Sequence, residues 1–120
     1  MSINKLKAEK LLTFNDGVEY KARMSLDTII RIEQSLSISI LKVGKLLSEA
    51  DLSVTQIVQI ITLAVRAGGN DVKEKDIKKL ISDIGLLEGI KMAGELITLA
   101  LNVDDESDSE DEKKSESETS

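Results

Sequence analysis

The sequence predicts a mainly α, α+β domain: an N-terminal β-hairpin packed on a compact bundle of about five short helices, followed by a disordered acidic tail. Three observations carry this prediction. The stretch Ser53 to Ala67, SVTQIVQIITLAVRA, is apolar at helical spacing over most of its girth. Only one stretch, KLLTFNDGVEYKARM, alternates with the two-residue period of a strand on either side of a turn. Proline is absent, which suits a largely helical chain.

The central helix organises the rest. At about 100° per residue, Thr55, Gln56, Gln59, Thr62 and Arg66 fall within roughly a third of the circumference. Val54, Ile57, Val58, Ile60, Ile61, Leu63, Ala64 and Val65 cover the remainder, so this helix needs neighbours on several sides. Ser53 and Gln56 form a capping box, and Leu52 with Ile57 supplies a hydrophobic staple. Gly68-Gly69 ends the helix by accepting a left-handed cap.

Taken in order, residues 1–9 read as a flexible lead, and residues 10–102 as a single domain. In the hairpin, a two-residue loop at Asp16-Gly17 pairs Thr13 with Tyr20. A three-residue loop pairs Phe14 with Val18 and Leu12 with Tyr20. The second register alone places Leu12, Phe14, Val18, Tyr20, Ala22 and Met24 on one face and Thr13, Glu19, Lys21 and Arg23 on the other, so it is the one expected. An isolated hairpin is marginal in water, so its apolar face must lie on helices.

Ser25 caps a first helix, with Asp27 in its first turn and Asp27–Arg31 spaced for an i,i+4 pair. Leu26, Ile29, Ile30 and Leu36 form its expected buried stripe. Ser37 or Ser39 caps a second helix with Ile40, Leu41, Val43 and Leu47 facing inward and Lys42, Lys45 and Glu49 in water. Gly44 inside it costs about 1 kcal/mol relative to Ala. A fourth helix begins within Asp71–Lys73, buries Ile77, Leu80, Ile81 and Ile84, and stops at Gly85. A fifth runs from Leu86 to Asn102, with its polar strip at Glu88, Lys91, Glu95, Thr98 and Asn102 and close-approach positions at Gly89, Ala93 and Ala100.

Residues 103–120 carry nine acids and two lysines, net −7, against −6 for the whole chain and therefore +1 for residues 1–102. That segment has too few apolar groups to offset the entropy of ordering it. A near-neutral body lacks the basic stripe that grips phosphates, which argues against nucleic acid. The chain has no Cys, His or Trp. Thiolate and imidazole chemistry are therefore excluded, zinc loses its preferred ligands, and two aromatics build neither a stacking platform nor a ligand cage. No cofactor, metal or small-molecule substrate is expected, and no enzyme. No segment has the roughly 18 apolar residues of a membrane span, and no signal peptide is evident, so cytoplasmic residence is the expectation.

Gly68-Gly69-Asn70 follows a helix and lacks the Lys-Ser/Thr of a phosphate loop, so it reads as a helix stop. Asp71, Glu74 and Asp76 lie among four lysines without calcium-loop spacing and read as a solvated helix start. The acidic tail reads as a solubilising, self-repelling segment. One binding feature stands out on the fifth helix. Its inward arc is Leu86, Leu87, Ile90, Ala93, Ile97, Ala100 and Leu101. Met92, Leu96 and Leu99 extend the apolar surface on one flank, as anchors suited to helix-in-groove contact.

The order of these pieces resembles a family of short phage tail proteins that also occurs in gene transfer agents. The matching residues are Asp16-Gly17 with Tyr20; Leu26, Ile29, Ile32 and Glu33; Ser39-Ile40-Leu41; Ala64 to Gly68; Asp76-Ile77 through Leu80-Ile81 to Gly85-Leu86; and Ala93, Leu96, Ala100 and Leu101. They span about residues 11–102 and are hydrophobic spacings, not catalytic signatures. Lys73 stands where the family often has a Thr cap, and the acidic tail is outside its pattern. Members are labelled tail tube proteins or tail assembly chaperones. Tube subunits are β-rich, so one hairpin with five helices favours the chaperone. The resemblance then implies the tape-measure protein and other tail proteins as partners, possible homo-oligomers, and many copies bound along one helical client. A structural tube or terminus subunit is the alternative. An acidic-tailed module acting on a host protein is a third.

Overall fold

A computed structural model of the chain describes residues 8–108. In order it contains β1 (Glu9–Thr13), a 3-10 turn at Asn15–Gly17, β2 (Glu19–Arg23), α1 (Leu26–Leu36), α2 (Ile40–Ser48), α3 (Val54–Ala67), α4 (Glu74–Ile84) and α5 (Leu86–Asp108). The hairpin and all five helices contribute to one apolar core. The lead expected over residues 1–9 lies outside the described residues up to residue 7, and β1 already begins at Glu9.

The hairpin has the three-residue loop. Leu12 pairs with Tyr20 and Thr13 with Glu19, and the Phe14 N–H donates to the Val18 carbonyl at 2.7 Å. Leu12, Phe14, Ala22 and Met24 are buried, with Val18 and Tyr20 packed at their margin. Phe14 and Tyr20 meet edge-on, ring centroids 6.1 Å apart. The Asn15 side-chain amide donates to the Asp83 carbonyl at 2.8 Å and ties the turn to the end of α4.

Ser25 caps α1, its hydroxyl accepting the Thr28 N–H at 3.3 Å. The buried stripe differs from the expected one. Thr28, Ile29, Ile32 and Leu36 are buried, whereas Leu26 and Ile30 are exposed. Both stripes have helical spacing; α1 turns toward α3 the one whose Thr28 hydroxyl is partnered by Ser25, 3.1 Å away. Ser37 takes a left-handed conformation, φ 61°, and closes α1, so the cap of α2 is Ser39, accepting from the Lys42 N–H at 3.2 Å. Glu33 reaches across from α1 to accept the Ile40 N–H at 2.8 Å. Within α2, Val43 is buried and Ile40 and Leu47 are packed against the core, but Leu41, expected to face inward, is 72% exposed.

Helix α3 is the post of the fold. Ile57, Val58, Ile60, Ile61, Ala64 and Val65 are all buried. Its capping box is complete: the Ser53 hydroxyl accepts the Gln56 N–H at 3.1 Å, and Gln56 accepts the Ser53 N–H at 2.9 Å. Thr62, expected on the polar strip, is buried instead, and its hydroxyl donates to the Val58 carbonyl at 2.7 Å. The two glycines at its end have separate roles. Gly69, φ +100°, takes the left-handed conformation, while Gly68 stays helical at φ −77°. Gly68 is there for space: a Cβ on it would overlap the Lys21 carbonyl of β2. Asn70 completes this junction, its amide donating to the Lys21 carbonyl at 2.9 Å and the Val65 carbonyl at 3.0 Å.

Helix α4 starts from Lys73, whose N–H donates to the Asp76 carboxylate at 2.9 Å. An ammonium has no acceptor to return, so Lys73 makes no side-chain cap. Ile77 and Ile81 are buried, with Leu80 and Ile84 packed beside them, and Gly85 ends the helix at φ +99°. Gly89 lets α5 approach α4, since a Cβ there would lie 3.1 Å from Ile81 Cγ2. Ala93 and Ala100 are buried as expected for close-approach positions. Helix α5 runs six residues past Asn102, to Asp108. No Gly or Pro interrupts residues 103–108, and extending a formed helix costs far less than nucleating one. The disorder expected for the tail falls, from residue 109 onward, outside the described residues.

Two stability measurements check these assignments. Gly68→Ala drives a methyl into backbone and should cost about 2–3 kcal/mol in urea unfolding. Lys73→Ser supplies the missing acceptor at the start of α4 and should raise stability by about 0.5–1 kcal/mol.

Candidate functional site

Helices α2 and α5 each have a second face that the core does not use. On α2 it is Leu41, Gly44, Lys45 and Ser48, at the i, i+3, i+4, i+7 spacing of one helix side. On α5 it is Lys91, Gly94, Glu95, Thr98 and Asn102, largely the polar strip read from the sequence. Together with Glu9 and Lys10 of β1, these faces line an open groove of about 970 Å³. Its apolar walls are Leu41, Leu47, Ile97, Leu99 and Leu101.

Two glycines shape it. Gly44 lets α2 lie close on α5, where a Cβ would be in ordinary contact with Leu101 Cδ1 at 3.6 Å and Ile97 Cγ2 at 3.7 Å. Gly94 has no such neighbour within 4 Å and leaves its part of the groove open. Five charged residues share the lining: Glu9, Lys10, Lys45, Lys91 and Glu95. Lys10 Nζ lies 3.7 Å from Glu95 Oε1, joining β1 to α5, and Lys91 Nζ lies 3.6 Å from Glu88 Oε2. Exposed pairs of this kind contribute about 0.2–1 kcal/mol and yield readily to a competing partner.

Of the three residues singled out on α5, the structure brings one to the groove. Leu99 lines it, half-buried; Met92 is half-buried against the core elsewhere; Leu96 is fully buried and belongs to the core. The expected inward arc shifts accordingly. Ala93, Ile97 and Ala100 face in and Ile90 packs at the edge, whereas Leu86, Leu87 and Leu101 are exposed. Leu41 is the groove residue that sequence reasoning missed. It stands one position after Ile40, off the Ile40–Val43–Leu47 face and on the face that carries Gly44. A leucine sharing a helix side with a glycine, away from the main stripe, was the available signal.

The groove offers apolar contact and shape, and its Ser48 hydroxyl donates to the Lys45 carbonyl at 2.7 Å. Among the described residues no group of three or more His, Cys, Asp or Glu is placed to hold a metal ion, and no helix is long and apolar enough to cross a membrane. Asp76 is engaged as a helix cap, and Gly68-Gly69-Asn70 as the α3–β2 junction. No protein-family model, curated protein or solved structure matches the chain.

Filling the groove should leave the fold intact. Gly94→Leu, at a helical position with open space above it, is expected to raise thermal stability, by up to about 1 kcal/mol from helix propensity. The same change should reduce binding of an apolar dye such as anilinonaphthalene sulfonate.

Proposed function

We propose that this chain is a non-catalytic assembly protein that holds apolar helical segments of a partner in the groove between α2 and α5. On the resemblance described above, that partner is the tape-measure protein of a phage or gene-transfer-agent tail, met in the bacterial cytoplasm before tube subunits polymerise. The observation that carries the reading is an accessible groove with apolar walls, among them the exposed Leu41 and Leu101 and the half-buried Leu99. A groove lined by two helices is the kind of surface that a third helix can occupy, presenting apolar side chains at i, i+4 and i+7. The contact is modest per copy, and a long helical client multiplies it through many copies.

Co-expression with the tape-measure protein tests this. The client should become soluble and co-purify with this chain. Leu41→Glu, at an exposed position, should leave stability within about 0.5 kcal/mol of the parent. It should weaken client binding at least about tenfold, equivalent to 1.4 kcal/mol. A client equally insoluble with and without the chain overturns the chaperone reading. A client held equally well by the Leu41→Glu variant overturns the assignment of the groove.

A further inference from the structure

The chain contains three arginines, and all three line one hollow of about 490 Å³ on the face formed by β2, α1 and α3. Arg23 belongs to the end of β2, Arg31 to the middle of α1 and Arg66 to the last turn of α3, and Ser25 and Thr28 share the lining. One lining carboxylate opposes them, Asp27, 3.5 Å from Arg31 Nε; Glu9, outside the hollow, lies 3.3 Å from Arg23 Nη1. Arg66 has no carboxylate within 4 Å among the described residues. The cluster thus keeps a net positive charge even after both pairs are counted. Guanidinium groups present rigid forks of donors matched to carboxylates.

We propose that this hollow is a docking site for a carboxylate-rich peptide, and that its occupant is the acidic C-terminal segment of the same chain. The segment supplies the complementary charge: residues 109–120 carry five acids against two lysines, net −3. Twelve residues follow Asp108, a length that spans up to about 40 Å. The described body measures 44 × 30 × 22 Å, so such a segment reaches across much of it. Tethering gives it an effective concentration in the millimolar range, above that of the same segment on a second copy at ordinary protein concentrations. The lysine-rich start of α4 is a weaker competitor: over residues 71–84 four lysines are matched by four acids. The proposal stands independently of the function assigned to the groove.

Because the chain has no Cys, a nitroxide at Ser117→Cys is a unique probe on the full-length protein. In 15N-labelled chain at low salt, amide signals of residues 23–31 and 64–67 should lose intensity. They should recover in 1 M NaCl, where the Debye length falls to about 3 Å. Arg31→Gln with Arg66→Gln, both at exposed positions, should abolish the loss while leaving the remaining spectrum unchanged. Broadening centred on the α4 lysines, or surviving the double substitution, overturns the site. Equal broadening when nitroxide and 15N sit on different molecules overturns the same-chain occupant.

Discussion

Everything in this fold depends on burying α3 without orphaning a polar group. A helix with Ile57, Val58, Ile60, Ile61, Ala64 and Val65 all out of water sits among neighbours, and its backbone ends must be satisfied there. The chain answers at three levels. Ser53 and Gln56 exchange hydrogen bonds at the start; Thr62 turns its hydroxyl back onto the Val58 carbonyl in the middle; and Asn70 returns to the Val65 carbonyl at the end. With those groups matched, burial of the apolar surface proceeds uncompromised, and α1, α4, α5 and the hairpin assemble around one axis.

What was legible in the sequence follows from which patterns admit one solution. The hairpin register was readable because a slip by one residue would send Leu12, Phe14, Ala22 and Met24 to the wrong side of the pleat. The starts of α1 and α3 were readable because Ser25 and Ser53 have an acceptor and the right spacing. Short amphipathic helices were less determined. In α1 both Leu26–Ile30 and Ile29–Ile32–Leu36 are helically spaced, and packing, not periodicity, selects the second. Thr62 was misplaced because a threonine can satisfy itself inside a helix, a route that polarity alone does not reveal. Gly68 was read as a conformational device, whereas its constraint is distance to a strand 47 positions earlier in the chain, invisible to local pattern.

The groove was half legible for the same reason. Apolar surplus on α5 was evident, but the sequence cannot apportion it between core and surface until α2 is placed. Once α2 lies on α5 at Gly44, Leu96 is in the interior, while Leu99, Leu101 and Leu41 line the groove. A site made by two helices, each using its secondary face, is a property of their crossing and not of either helix alone.

The junction between α3 and β2 has a consequence for copy number. In an antiparallel pair alternate residues turn their peptide groups outward, and the register puts Lys21 in that set. Asn70 occupies its outward carbonyl and Gly68 brings the helix end against it, so the outer border of β2 is blocked at mid-strand. An unpaired border is a template on which another chain can add a strand. Sealing it lets such a molecule accumulate at high concentration without nucleating sheet growth from that side.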